Sequence, residues 1–119
     1  MQLTSQELTK HIVRILDSKK AEDITAIKVR DLTIVADYFI IASGTSTTQV
    51  KALADEVEFQ MGKQDIHPQR TEGYPSGEWV VLDYQDVIVH VFYRATREFY
   101  SLERLWADGE QVNIEDMLK

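Results

Sequence analysis

Two β-rich runs separated by only two residues fall in the second half of this chain. Residues 79–84 (Trp-Val-Val-Leu-Asp-Tyr) and 87–93 (Val-Ile-Val-His-Val-Phe-Tyr) flank Gln85-Asp86. A gap that short joins two strands only as an antiparallel hairpin, although Gln-Asp is not a favoured turn pair. If Tyr84 pairs with Val87, then Leu82 faces Val89 and Val80 faces Val91, giving one almost wholly aliphatic face. The opposite face pairs Asp83 with Ile88, Val81 with His90, and Trp79 with Phe92. A slip of one residue would exchange the two faces, so the register decides which side chains are core.

The rest of the chain supplies the helices and strands that such a hairpin needs. In residues 4–19, Leu8, Ile12, Ile15 and Leu16 form one helical stripe. Thr4 with Glu7 has the spacing of a capping box, and Lys19 and Lys20 suit the negative end of the helix dipole. Residues 24–29 read as a strand. Residues 38–43 (Tyr-Phe-Ile-Ile-Ala-Ser) read as another, apolar on both faces and so buried within a sheet. After Gly44-Thr45-Ser46, the positions Val50, Leu53, Ala54, Val57 and Met61 define a second helix. Ser46 with Gln49 is its expected capping box and Gly62 its expected C-terminal cap. Pro68 and Pro75, with Gly73 and Gly77, mark loops between strands. A last helix is expected from about Thr96, with Phe99, Leu102, Leu105 and Trp106 on its apolar side, ending at Asp108-Gly109. Leu105 and Trp106 read as core. Residues 110–119 read as a short acidic tail with room for one more helical turn. Helix, strand, strand, helix, several strands, helix is the order of an α/β domain: a mixed sheet flanked by helices.

Composition narrows the function classes. A chain of 119 residues is one domain's worth and buries on the order of 65% of its unfolded surface without staples. It has no Cys, which removes a disulfide framework, thiolate zinc sites and a cysteine nucleophile, and suits a reducing compartment. Against 20 Asp+Glu there are 13 Lys+Arg, a net charge of −7. That balance disfavours wrapping bare nucleic acid and matches a basic protein partner. The first residues resemble neither a secretory signal nor an Arg-rich transit peptide. No apolar run approaches the roughly 20 residues that span a bilayer. A soluble, cytoplasmic protein is the expectation.

Ser43-Gly44-Thr45-Ser46, between a buried strand and a helix start, could hold an anion, yet a tight turn with a helix cap explains it as well. Neither a dinucleotide-binding nor a P-loop fingerprint is present. A metal-dependent nucleotidyl transferase needs acids at alternate strand positions after such a turn. Here Asp55 and Glu56 are adjacent on a helix, and Asp83 and Asp86 are not alternate. His11, His67 and His90 are scattered and have no ligand spacing, and no nucleophile elbow of a hydrolase occurs. Arg94, Arg97 and Arg104 are a small basic group that pairs more naturally with Glu98 and Glu103 than with RNA. The aromatic hairpin face remains, with Trp79, Val81, Ile88, His90 and Phe92 and with Asp83 at its edge. Either a helix covers it or it is a protein interface with Trp79 as its hot spot.

Three blocks resemble one family: ADYFIIASGTSTTQVKALADEVE, EGYPSGEWVVLDYQDVIVHVF and REFYSLERLWAD, in that order. They resemble the Iojap/RsfS family of ribosomal silencing factors over about residues 4–108. The resemblance implies an α/β fold related to nucleotidyl transferases but lacking the catalytic acids, and a protein that is not an enzyme and holds no cofactor or metal. It further implies binding to the large ribosomal subunit through ribosomal protein L-fourteen, with little direct rRNA contact. Bound there, such a protein blocks joining of the small subunit and lowers translation when nutrients are short. A homodimer is implied off the ribosome. Carried onto this chain, the contact surface would use Trp79 and Phe92 as apolar anchors, Asp83 and Glu103 as charge partners, and His90 as a hydrogen-bonding group. Tyr100 and Arg104 would stand on the last helix. An assembly adaptor for the ribosome and a degenerate nucleotide-binding protein are the competing readings.

Overall fold

A computed structural model describes residues 3–118. In chain order the elements are α1 (Ser5–Ser18), β1 (Glu22–Lys28), β2 (Tyr38–Gly44), α2 (Thr47–Gly62), β3 (Arg70–Glu72) and β4 (Trp79–Asp83). There follow β5 (Val87–Tyr93), α3 (Arg94–Tyr100), α4 (Leu102–Leu105), β6 (Glu110–Gln111) and α5 (Ile114–Leu118). The strands form one sheet in the order β3-β4-β5-β2-β1-β6. Only the central β2–β5 pair is parallel. Both of these strands are buried along nearly their whole length, as their continuous apolar sequences require.

The hairpin register is the expected one: Trp79 opposite Phe92, Val80 opposite Val91, Val81 opposite His90, Leu82 opposite Val89, Asp83 opposite Ile88. The aliphatic face joins Tyr38, Ile40 and Ala42 of β2, and α1, α2 and Met117 of α5 pack on it as the larger core. Alternation sends Phe39 and Ile41 of β2 to the other face. There a smaller cluster forms with Ile27, Ile88 and Phe92, flanked by Trp79, Leu102 and Trp106. Three helices cover the first face, whereas the α3–α4 segment and, through Val29 and Ala36, the β1–β2 connection pack on the second.

At the helix ends and loops some expectations hold and others change. The Thr4–Glu7 capping box forms with both arms. Ser46 also caps α2, accepting the Gln49 backbone N–H at 3.0 Å. The reciprocal arm is absent, because Gln49 Oε1 instead accepts from the backbone and hydroxyl of Thr45 at 2.6 and 2.8 Å. Gly62 is not a left-handed cap. It is the last helical residue, Lys63 follows in helical geometry, and the positive φ falls on Asp65. The Pro/Gly stretch read as loops contains the short edge strand β3, which three exposed polar residues could not announce. The final helix is broken in two at Ser101, whose φ of 47° is left-handed. Finally, the acidic tail is structured: β6 pairs with β1, and Arg14 Nε donates to the Met117 carbonyl at 3.0 Å.

Candidate partner-binding face

Trp79 opens β4, and the preceding loop sets its position. Gly73 has φ +80°, and a Cβ there would lie 1.9 Å from the Trp79 carbonyl oxygen, so only glycine fits. At the other end of the strand, Gln85 occupies a left-handed conformation with φ 78°. The Asp83 carboxylate accepts the Gln85 N–H at 2.8 Å, and Tyr84 N–H donates to Val87 O at 2.9 Å. Those bonds let an unfavoured Gln-Asp pair make the turn.

Between these two ends lies a layered aromatic arrangement. The half-buried Trp79 ring stacks on Phe92 at 4.8 Å and meets Tyr100 of α3 at 4.9 Å. Its Nε1–H donates to His90 Nδ1 at 3.1 Å. A neutral His90 accepting there carries its proton on Nε2. Burial pushes its pKa down to about 4, so it is neutral at pH 7. His90 Nε2 makes no hydrogen bond among the described residues; the ring stands edge-to-face against Phe39 at 5.3 Å.

These contacts divide the expected contact set. Trp79, half-buried Asp83, and exposed Tyr100 and Arg104 reach the surface. Phe92 does not: it is 0% exposed, so its expected place as an outward anchor is corrected to that of the floor beneath Trp79. His90, 8% exposed, is corrected likewise: it holds the indole from below and presents no polar atom outward. The Glu103 carboxylate is engaged inside the chain, accepting from Arg97 Nε at 3.0 Å. Leu105, expected in the core, is 75% exposed, as is Phe99. Trp106 does pack inward, against Phe39 at 5.0 Å. A cleft of about 300 Å³ runs beside Trp79, walled by Phe39, Val81, Ile88 and His90 and rimmed by Arg70, Glu72 and Asp83.

The other candidates are occupied by their own neighbours. In the 44–46 turn, the Thr45 N–H and hydroxyl donate to Gln49 Oε1, and Ser46 Oγ accepts the Gln49 N–H. The crevice beside it, about 400 Å³, is lined by Arg94, Arg97 and Arg104 but equally by Asp23, Glu98 and Glu103. Arg94 is tied to Glu22 by bonds of 2.6 and 2.8 Å. Asp55 accepts the Tyr74 hydroxyl at 3.0 Å, and Glu56 accepts from Gln60 at 2.6 Å. Among the described residues no group of three or more His, Asp or Glu could hold a metal ion, and no helix is long and apolar enough to cross a membrane. Sequence reasoning missed the weight of Arg97. Its helical position with acids on either side reads as a surface residue, and only the fold shows it 9% exposed.

Fold and site together define a small mixed α/β domain that buries one sheet face under three helices and keeps an aromatic cleft on the other. A profile described as "Ribosomal silencing factor during starvation" matches residues 2–119. The chain is 39% identical over 116 residues to ribosomal silencing factor RsfS of Halalkalibacterium halodurans, covering 98% of this chain and 99% of that protein. RsfS of Bacillus subtilis is 36% identical over 113 residues, covering 95% and 96%. A crystal structure of a Chromobacterium violaceum protein superimposes with a TM-score of 0.86 at 36% identity, covering 93% of this chain and 92% of that one. The chain belongs to the RsfS family of ribosomal silencing factors.

Proposed function

We propose that this protein represses translation without catalysis, by seating its Trp79–Tyr100 face on the large ribosomal subunit and excluding the small one. The partner is ribosomal protein L-fourteen, the setting the cytoplasm under nutrient limitation, and the protein is a homodimer when free. The observation that carries the reading is the aromatic cleft beside Trp79, left open by the helices in a member of a silencing-factor family. Trp79 at the cleft and Phe99, Tyr100 and Leu105 on the adjoining α3–α4 segment supply apolar contact, while Asp83 at the cleft rim and Arg104 on that segment supply charge. His90 and Phe92 act through Trp79 by fixing the indole. A steric mechanism asks only for occupancy. A Kd of about 10 nM corresponds to about −11 kcal/mol, and a few anchors of about 2 kcal/mol each contribute much of the surplus over binding costs.

The test is a subunit-joining assay. Large subunits are preincubated with the protein, small subunits are added, and the mixture is sedimented through sucrose. Free subunits should accumulate with the protein comigrating with the large one, and Trp79→Ala should weaken binding at least tenfold in a folded protein. Complete ribosomes forming regardless would remove the silencing mechanism. A protein that ignores mature subunits but joins precursors would be an assembly adaptor, and saturable binding of Mg²⁺-nucleotide would revive the crevice at Ser43.

A further inference from the structure

We infer that Arg97 is the positioning residue of the docking surface: it clasps the α3–α4 bend to the sheet and so holds Phe99, Tyr100 and Leu105 in binding geometry. The inference rests on the reading of the Trp79–Tyr100 face as the contact surface. It starts from the weakness of the segment that carries three of the exposed apolar residues. α3 has seven residues and α4 four, and neither has a side-chain N-cap. Helices that short do not persist on their own. They are joined by Ser101 in a left-handed conformation, φ 47°, which a side chain resists. Something outside the segment has to hold the bend.

Arg97 has the connections to do so. Its side chain is about nine-tenths buried, and the guanidinium makes four hydrogen bonds and an ion pair. Nη1 donates to the Asp23 carbonyl at 2.7 Å and to Ser43 Oγ at 2.8 Å. Nη2 donates to Thr25 Oγ1 at 3.1 Å. Nε donates to Glu103 Oε2 at 3.0 Å, and Nη2 lies 2.9 Å from the same oxygen in an ion pair. One planar group therefore joins β1, β2 and α4 to α3. Glu103 reaches it only because the chain reverses at Ser101. Buried and bonded to four residues of its own chain, Arg97 acts on binding through the segment it holds. Lys, with three donors on a point charge, cannot reproduce that planar fork.

The experiment compares Arg97→Lys and Glu103→Gln with the parent in affinity for purified large subunits, amide exchange and thermal unfolding. Both variants should still unfold cooperatively, with α1 and α2 as protected as in the parent, while amides of residues 98–106 exchange faster. Arg97→Lys should bind at least tenfold more weakly, and Glu103→Gln, which keeps the fork, about threefold. Placement is separated from general loosening by a double substitution. Phe99→Ala should lose affinity in the parent but little further in the Arg97→Lys background, because Phe99 is already misplaced there. Normal affinity with residues 98–106 loosened would overturn the inference, as would fully additive losses. If Arg97→Lys does not fold, Glu103→Gln with Phe99→Ala gives the same comparison. Parental affinity in Trp79→Ala would instead reject the contact face itself, so the two failures are distinguishable.

Discussion

His90 is the residue whose place in the fold makes the sharpest claim about solution behaviour. Burial moves its pKa from the ordinary 6.5 to about 4. The unfolded chain takes up a proton near pH 6.5 while the folded protein stays neutral until near pH 4. The sign follows: stability is complete above the unfolded value and is lost as pH falls between the two. The slope approaches about 1.4 kcal/mol per pH unit, for about 3 kcal/mol over the window. Between pH 6.5 and 5 the parent should therefore lose about 2 kcal/mol more than His90→Gln, which retains an acceptor for Trp79 but does not titrate. Urea unfolding of both proteins at the two pH values measures it, and equal losses would show that His90 is not buried neutral. At this scale the sequence was legible in one respect and silent in another. Alternation along residues 79–93 correctly assigned each side chain to a face. Whether Phe92 and His90 lay open or covered was not legible, because what covers them arrives from Trp79, Phe39 and α3, through contacts that no local pattern encodes.

Among the elements, those with long periodic stripes were legible and those held by single bonds were not. α1 and α2 have buried positions at helical spacing and side-chain caps, so their sequences determine both extent and inward face. The 94–105 segment has an apolar pattern that fits one continuous helix. Across the break at Ser101, Glu103 meets a buried Arg97 whose other partners lie on β1 and β2, far away in sequence. β3 was invisible for a related reason: an exposed three-residue edge strand is specified by its neighbour β4, not by its own residues. The β4–β5 turn offers a test at this scale. Gln85 sits at φ 78°, which a side chain resists by about 1–2 kcal/mol, while glycine adopts it freely. Glycine also adds unfolded-state entropy, which offsets about 0.5–1 kcal/mol of the gain. Gln85→Gly should therefore be more stable by about 0.5–1 kcal/mol and raise the thermal midpoint by a few degrees. A lower midpoint would mean that the Gln85 side chain contributes more to the turn than its strain costs.

For the molecule as a whole, the governing quantity is the net charge of −7. Its long-range field acts on the rate of encounter more than on the lifetime of the complex. Under the proposed function two opposing fields meet it: a basic ribosomal protein attracts it and the surrounding rRNA repels it. Separating them gives a prediction with a defined sign. With isolated ribosomal protein L-fourteen, only attraction operates, so the association rate should fall several-fold as salt rises from about 50 to 300 mM and the Debye length shrinks from about 14 to 6 Å. With the intact large subunit, rRNA repulsion is screened over the same range, so the fall should be smaller or reversed. Dissociation should change little in either case, because the proposed contact surface around Trp79, Phe99, Tyr100 and Leu105 is mainly apolar and acts at short range. Stopped-flow measurement with both partners checks this directly. Equal salt slopes for the two would mean that rRNA is not felt on approach. A rate that rises with salt for the isolated protein would remove the electrostatic argument for a basic partner. In that case the pairing would rest on shape and apolar contact at the cleft alone.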